Sequence, residues 1–177
     1  MPTAVIPLAR ASFKTGRLQG FVIHALPVAD GILAFAPLPG RTGDYQADLK
    51  HIRDWKPALV ISMTKPREMA EAGADDLGAH LQDAGTRWVH LPISDFSAPN
   101  AEHEESWHET SRSALAALQG GGRVLIHCRM GKGRSGMAAL RLMIEAGEDP
   151  KVALQRIRAV HPSAVETQDQ MDWALSG

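Results

Sequence analysis

The sequence predicts a single α/β domain: a central, mostly parallel sheet flanked by helices on both faces. Three observations predict it. Apolar runs alternate with amphipathic stretches along the 177 residues, the pattern of strands alternating with helices. The connections between them are short, which favours parallel strands with helical crossovers. Hydrophobic residues make up 44% of the chain and charged residues 22%, close to the average for a globular domain. A chain of this length buries about 70% of its unfolded surface without a disulfide or metal staple.

The elements follow in order. Phe21-Val22-Ile23 and Ile32 to Phe35 read as two strands joined through Pro27 and Asp30-Gly31. Pro37 and Pro39-Gly40 break the chain, and Asp44 to Trp55 places Tyr45, Leu49 and Ile52 on one helical face. Ala58 to Met63 is a short buried strand, and Pro66 opens a helical stretch to about Gln82. Arg87 to Leu91 is a strand, followed by a loop from Pro92 to Asn100 and a helix from Ala101 to Leu118 with acidic first turns. Gly120-Gly121-Gly122 stops that helix. Arg123 to His127 is the clearest strand, bounded by glycine-rich sequence on both sides. Helices over Ser135–Glu145, from the cap Asp149-Pro150 to Val160, and over Thr167–Leu175 complete the chain. The domain is read as 1–177, with 1–34 as N-terminal strands or an extension.

Composition excludes several functions. A net charge of −1 leaves no broad basic footprint for nucleic acid, although a local cationic pocket is compatible with it. No uncharged apolar run approaches the roughly 18 residues of a membrane span. Met1 to Arg10 lacks a basic leader and carries Pro2 and Pro7, so no secretory signal is expected. Cys128 is the only cysteine. It excludes an internal disulfide and points to a reducing cytoplasm. The oligomeric state is not readable from the sequence.

Chemistry concentrates in Arg123-Val-Leu-Ile-His-Cys128-Arg-Met-Gly-Lys-Gly-Arg134-Ser-Gly136, a strand, a glycine-rich loop and a helix. Gly131-x-Gly133-x-x-Gly136 matches a dinucleotide fingerprint, but no strand follows the helix to supply the ribose-binding acid. Gly131-Lys132 is followed by glycine instead of the Ser or Thr that a nucleotide P-loop needs for magnesium. The third reading is a phosphate cradle with a thiol at its base. A cysteine attacks only as thiolate, and its resting pKa of about 8.5 is lowered by a helix N-terminus and a nearby arginine. Gly131 and Gly133 let successive N–H groups of Arg129, Met130, Gly131, Lys132 and Gly133 converge on an anion. Arg134 offers two oxygens a planar grip.

His127-Cys128-x5-Arg134-Ser135 resembles the signature of the cysteine-dependent protein tyrosine and dual-specificity phosphatases. Pro39-Gly40, Trp55 through Thr64 to Glu68, Leu91 to Asp95, and Thr167 to Trp173 resemble the kinase-associated phosphatase group. The similarity spans roughly residues 35 to 175. It implies a phosphatase-type cysteine-loop fold and a phosphocysteine mechanism. Cys128 attacks phosphorus, and Arg134 holds the equatorial oxygens. A loop carboxylic acid protonates the leaving oxygen and then activates water, while Ser135 donates to the released thiolate. Asp95, 33 residues before Cys128 and between Pro92 and Pro99, is assigned as that acid. Glu102 and Glu104 are its rivals. Gln168 or Gln170 would place the hydrolytic water, Gln170 being the better fit. No cofactor or metal is needed, since arginine and N–H groups supply the positive field.

The expected activity is hydrolysis of phosphate monoesters, phosphotyrosine first, with phosphoserine and phosphothreonine as extensions. Arg129 and Lys132 match basic positions of the phosphatase-and-tensin-homologue group, so a phosphoinositide or inositol-phosphate phosphatase is the alternative. Lys65 and Arg67 would extend that basic rim. A non-catalytic phosphate-binding module is the alternative of another class. His127 is read as structural. His103 and His108 do not share a helix face and make no zinc motif. Trp55, Trp88, Trp107 and Trp173 are read as packing anchors. Tyr45 is the only tyrosine, so an aromatic wall for the substrate must come from Phe or Trp.

Overall fold

The computed structural model describes residues 20–177. Residues 1–19 of the expected N-terminal region lie outside the described residues. Five strands, β1 (His24–Val28), β2 (Gly31–Ala36), β3 (Leu59–Ser62), β4 (Arg87–His90) and β5 (Arg123–His127), form one sheet in the order β1-β2-β5-β3-β4. β1 runs antiparallel to β2, and the other pairs are parallel.

The first strand differs from the sequence expectation. It begins at His24, past Phe21-Val22-Ile23, and pairs His24 with Phe35 and Val28 with Gly31 around the Ala29-Asp30 turn. Phe21 and Ile23 instead pack, half-buried, against the core on the other face of the sheet. Pro27 lies inside the strand and not in the loop; an edge strand tolerates the missing N–H. Gly31 has a steric reason, since a Cβ there would fall 2.3 Å from the carbonyl oxygen of Gly122.

Among the described residues seven helices cover the sheet. α1 (Tyr45–Trp55) is capped by Asp44, whose side chain accepts from the Ala47 N–H at 3.0 Å. The expected long helix after Pro66 is two: α2 (Pro66–Glu71) and α3 (Leu77–Asp83). They are separated at Gly73, whose φ of +68° is the left-handed turn that ends a helix. A single 3-10 turn (Ala101–His103) leads into α4 (Glu104–Gln119). α5 (Arg134–Glu145) follows β5 through the glycine-rich loop. α6 (Pro150–Val160) is capped by Asp149 and α7 (Gln168–Leu175) by Thr167.

The two faces carry separate cores because side chains alternate along a strand. Leu33, Phe35, Leu59, Ile61, Val124 and Ile126 pack under α4 to α7, where Trp107, Leu140 and Ile157 are buried. Ala34, Val60 and Leu125 pack on the other side with Leu49, Ile52, Leu77 and Leu81. The parallel strands all point one way. Their C-terminal ends therefore gather Met63–Glu68 after β3, Leu91–Asp95 after β4 and Cys128 after β5 at one edge, the usual ligand edge of such a sheet.

Candidate active site

Buried β5 delivers Cys128 at its C-terminal end, and the thiol is 2% exposed. The loop that follows is folded by its carbonyls. The oxygen of Arg129 accepts from Leu38 N–H (3.2 Å), that of Lys132 from Val165 N–H (3.0 Å), and that of Gly133 from Met137 N–H (2.9 Å). Each carbonyl thus faces the body of the protein. Among the described residues no protein acceptor takes the N–H groups of Arg129 through Gly133, so five consecutive donors remain for an anion. Gly131 has φ +72°, and a Cβ there would stand 2.5 Å from Pro37 N. A Cβ on Gly133 would stand 2.3 Å from Glu166 Oε1 and 3.2 Å from Gln170 Oε1. The curl thus requires a glycine at 131, whereas Gly133 has an ordinary φ of −75° and meets only the ends of flexible side chains.

Ser135 sits in the first turn of α5 with its Oγ 3.2 Å from the Cys128 sulfur. Arg134, fully buried, reaches across the site. Its Nη1 donates to Glu68 Oε2 (2.8 Å) and the Ile93 carbonyl (2.9 Å), and its Nη2 donates to Glu68 Oε1 at 2.7 Å. Nη2 also lies 3.3 Å from Asp95 Oδ1. Nε is buried without a partner. The terminal fork is therefore committed to Glu68, and the Nε/Nη2 edge is the one left to grip a ligand. Burial works against the Arg134 charge, yet the Glu68 hydrogen bonds and the negative groups of Cys128, Glu68 and Asp95 outweigh it and raise its pKa. Burial alone would likewise raise the Glu68 pKa, but hydrogen bonds from Arg134 and from Lys65 N–H (2.8 Å) hold that carboxyl below its usual range.

His127 is fully buried, and burial pushes its pKa down to about 4. It is neutral near pH 7 and sits in a buried chain of polar groups. Trp88 Nε1 donates to Ser62 Oγ at 2.8 Å, and Ser62 Oγ lies 2.5 Å from His127 Nε2, while Nδ1 is buried without a partner. This matches the structural role expected of His127.

Asp95 is brought to Arg134, whereas Glu102 and Glu104 lie exposed on the 3-10 turn and at the start of α4. Arg129 and Met130 are exposed at the rim, while Lys132 pairs with Glu166 at 3.7 Å. Lys65 is exposed, and Arg67 is engaged with Glu71 at 2.9 Å. Gln170 is buried with its amide occupied at both ends. Oε1 accepts from Glu166 and Thr167 N–H (3.0 and 3.2 Å), and Nε2 donates to the Ser97 carbonyl (3.3 Å). Phe96, next to Asp95, is 60% exposed. Beside the cradle, a cavity of about 460 Å³ opens on the Met130 side and is lined also by Pro37, Arg41, His24 and His161. Trp107 and Trp173 pack edge to face at 4.8 Å, as anchors. Among the described residues no cluster of three His, Cys, Asp or Glu side chains forms a metal site.

Sequence reasoning assigned Glu68 no role. It lay inside a recognised stretch, but at the third position of α2 it reads as a helix cap. Its one signal is its place just past the C-terminal end of β3, the edge where such sheets bind ligands.

A buried thiol at the end of β5, a following loop of amides without protein acceptors, a buried arginine and a loop aspartate on a mostly parallel sheet define the cysteine-dependent tyrosine and dual-specificity phosphatase class. Residues 35–148 match the family described as Tc-R-P: polymorphic toxin system, DSP-PTPase phosphatase, and the chain belongs to that family. A protein of Invertebrate iridescent virus 3 named, provisionally, tyrosine phosphatase 067L is 30% identical over 94 residues. That match takes in 50% of this chain and 39% of the viral protein, so the chain covers well under half of that relative's length. The kinase-associated phosphatase, solved with its catalytic cysteine replaced by serine, shares the fold. Its TM-score is 0.76 at 21% identity over 87% of this chain and 92% of that one. Tk-PTP in its active form is 29% identical with a TM-score of 0.65, over 81% of this chain and 89% of that one. No helix among the described residues is long and apolar enough to cross a membrane.

Proposed function

We propose that the protein hydrolyses phosphate monoesters through a phosphocysteine intermediate. One observation carries this reading above the rest: the buried Arg134 leaves its Nε without a partner while Asp95 rests on the adjoining Nη2. A buried donor without an acceptor is rare and asks for an explanation. A phosphoryl group seated on the amides of 129–133 would take Nε and Nη2 together, as a bidentate pair. Asp95, displaced from Nη2, then lies beside the bridging oxygen of the ester.

In the first step the Cys128 thiolate forms a sulfur–phosphorus bond while the phosphorus–oxygen bond to the alcohol or phenol breaks. Asp95 gives its proton to that leaving oxygen. Arg134 and the loop amides neutralise the charge on the equatorial oxygens. In the second step Asp95, now ionised, takes a proton from water as the water oxygen bonds to phosphorus. The sulfur–phosphorus bond breaks, inorganic phosphate leaves, and Ser135 donates to the thiolate. Gln170 orients the water, which requires its Nε2 to release the Ser97 carbonyl.

The substrate class we assign is phosphotyrosine in proteins or peptides, extending to phosphoserine and phosphothreonine. Exposed Phe96 beside the acid supports it as an apolar wall for an aryl leaving group. Exposed Arg129 favours the inositol-phosphate alternative, but Lys132, its companion in that reading, is held by Glu166. Turnover of phosphotyrosine peptides against soluble inositol phosphates separates the two. The test of the reaction itself is Cys128→Ser. The variant should remain folded and lose para-nitrophenyl phosphate hydrolysis to background; retained turnover overturns the nucleophile. A wild-type chain that binds phosphate without turnover would make it a binding module.

A further inference from the structure

The segment 165–170, ahead of and into α7, holds both halves of the site. It touches the cradle, where Val165 N–H donates to the Lys132 carbonyl (3.0 Å) and Glu166 pairs with Lys132 (3.7 Å). It touches the acid loop at two consecutive carbonyls. Thr167 Oγ1 donates to the Phe96 oxygen (3.2 Å), and Gln170 Nε2 donates to the Ser97 oxygen (3.3 Å). The Thr167 hydroxyl has one proton. Its oxygen already accepts from Gln170 N–H (3.2 Å) as the helix cap, so the proton is free for Phe96.

The loop it holds is under backbone strain. Phe96 has φ +61°, a left-handed conformation that bulky residues rarely adopt. Such a conformation persists only where surrounding contacts enforce it. The Phe96 N–H is turned onto Asp95 Oδ1 (3.0 Å), the same oxygen that meets Arg134 Nη2 at 3.3 Å. Releasing Phe96 would let its φ relax and carry Asp95 off the arginine.

We propose that Thr167 is a positioning residue whose hydroxyl latches the acid-bearing loop over the cradle. This rests on the reading of Asp95 as the acid. Gln170 must let go of Ser97 to place water, so Thr167 is the contact that persists through both chemical steps.

The test uses the full chain with Thr167→Val, Thr167→Asp and Thr167→Ser. Aspartate caps a helix as well as threonine does but cannot donate to Phe96, which separates the latch from the cap. Serine keeps both. Hydrogen exchange over residues 94–98 should be about tenfold faster or more in the Val and Asp variants and near wild type in Ser. Turnover of phenyl phosphate, a poor leaving group, should fall about tenfold further than that of dinitrophenyl phosphate, again with rescue by Ser. Unchanged exchange, or equal losses on the two esters, overturns the latch. A wild type that hydrolyses neither ester overturns the phosphatase reading instead, and exchange still reports on the latch.

Discussion

Arg134 and Glu68 meet through two parallel hydrogen bonds of 2.7 and 2.8 Å, the arginine fully buried and the carboxylate partly exposed. The pair leaves Nε buried without a partner and Nη2 3.3 Å from Asp95 Oδ1. In the proposed mechanism Glu68 acts on the phosphoryl group through Arg134, without touching it.

Glu68→Gln should leave the arginine charge under-compensated, at a cost of about 3 kcal/mol in urea unfolding, as breaking a buried pair does. The pH dependence has a definite sign. The folded carboxyl titrates below its ordinary value, so its stabilisation is complete above the unfolded glutamate range. It is lost as pH falls through the lower folded value. The variant should lack that loss, and its turnover should fall because the grip on the phosphoryl group is misaligned.

His127 gives the same sign at higher pH. Its folded pKa of about 4 lies below the ordinary 6.5, so the unfolded chain binds a proton that the folded chain refuses. Stability should be flat above that ordinary value and fall by about 1.4 kcal/mol per pH unit below it, about 3 kcal/mol in all. His127→Asn, less stable near neutrality through loss of packing and of the Ser62 bond, should lack this contribution. Its stability gap to wild type should close by about that amount towards pH 4. Urea midpoints across pH measure it, and a constant gap would refute the buried neutral histidine.

Gly131→Ala should damage the cradle itself. The new Cβ meets backbone at Pro37 in a left-handed conformation, a cost above about 1 kcal/mol, and turnover should fall sharply. Gly85→Ala is the control. Its φ is +80° with nothing within 4 Å of the new Cβ, so stability drops while activity stays. Equal effects on activity would mean that the loop tolerates distortion.

Asp95→Asn should slow hydrolysis of poor leaving groups by about 10²–10⁴-fold, the usual contribution of a positioned acid, and electron-poor aryl esters far less. The limb of the bell-shaped pH profile that reports the protonated acid should disappear. A uniform loss across leaving groups would point to a different acid.

How much of this was legible in the sequence follows from the range of each interaction. The cradle is local. Strand, cysteine, two glycines, arginine and helix lie within one short stretch, and backbone geometry over so few residues is dictated by the residues themselves. The helix cap Asp149 was legible for the same reason, and the short strand–helix connections pointed to the parallel sheet. The first strand was misplaced because its register depends on which apolar residues reach the sheet's two cores, a choice made by the partner strand β2. The break at Gly73 was missed because the amphipathic pattern continues across it.

The sequence by itself determined that a cysteine would end the clearest strand and that a glycine-bearing loop would lead from it into a helix. Tertiary structure alone decided that Glu68, 66 residues from Arg134, would bond the guanidinium, and that Thr167, 71 residues from Phe96, would donate to the loop that carries Asp95. Neither partner carries a local signature of that role. A carboxylate or hydroxyl near a helix start reads as a cap. Only the parallel sheet, by gathering distant loops at one edge, shows which second partner each one has.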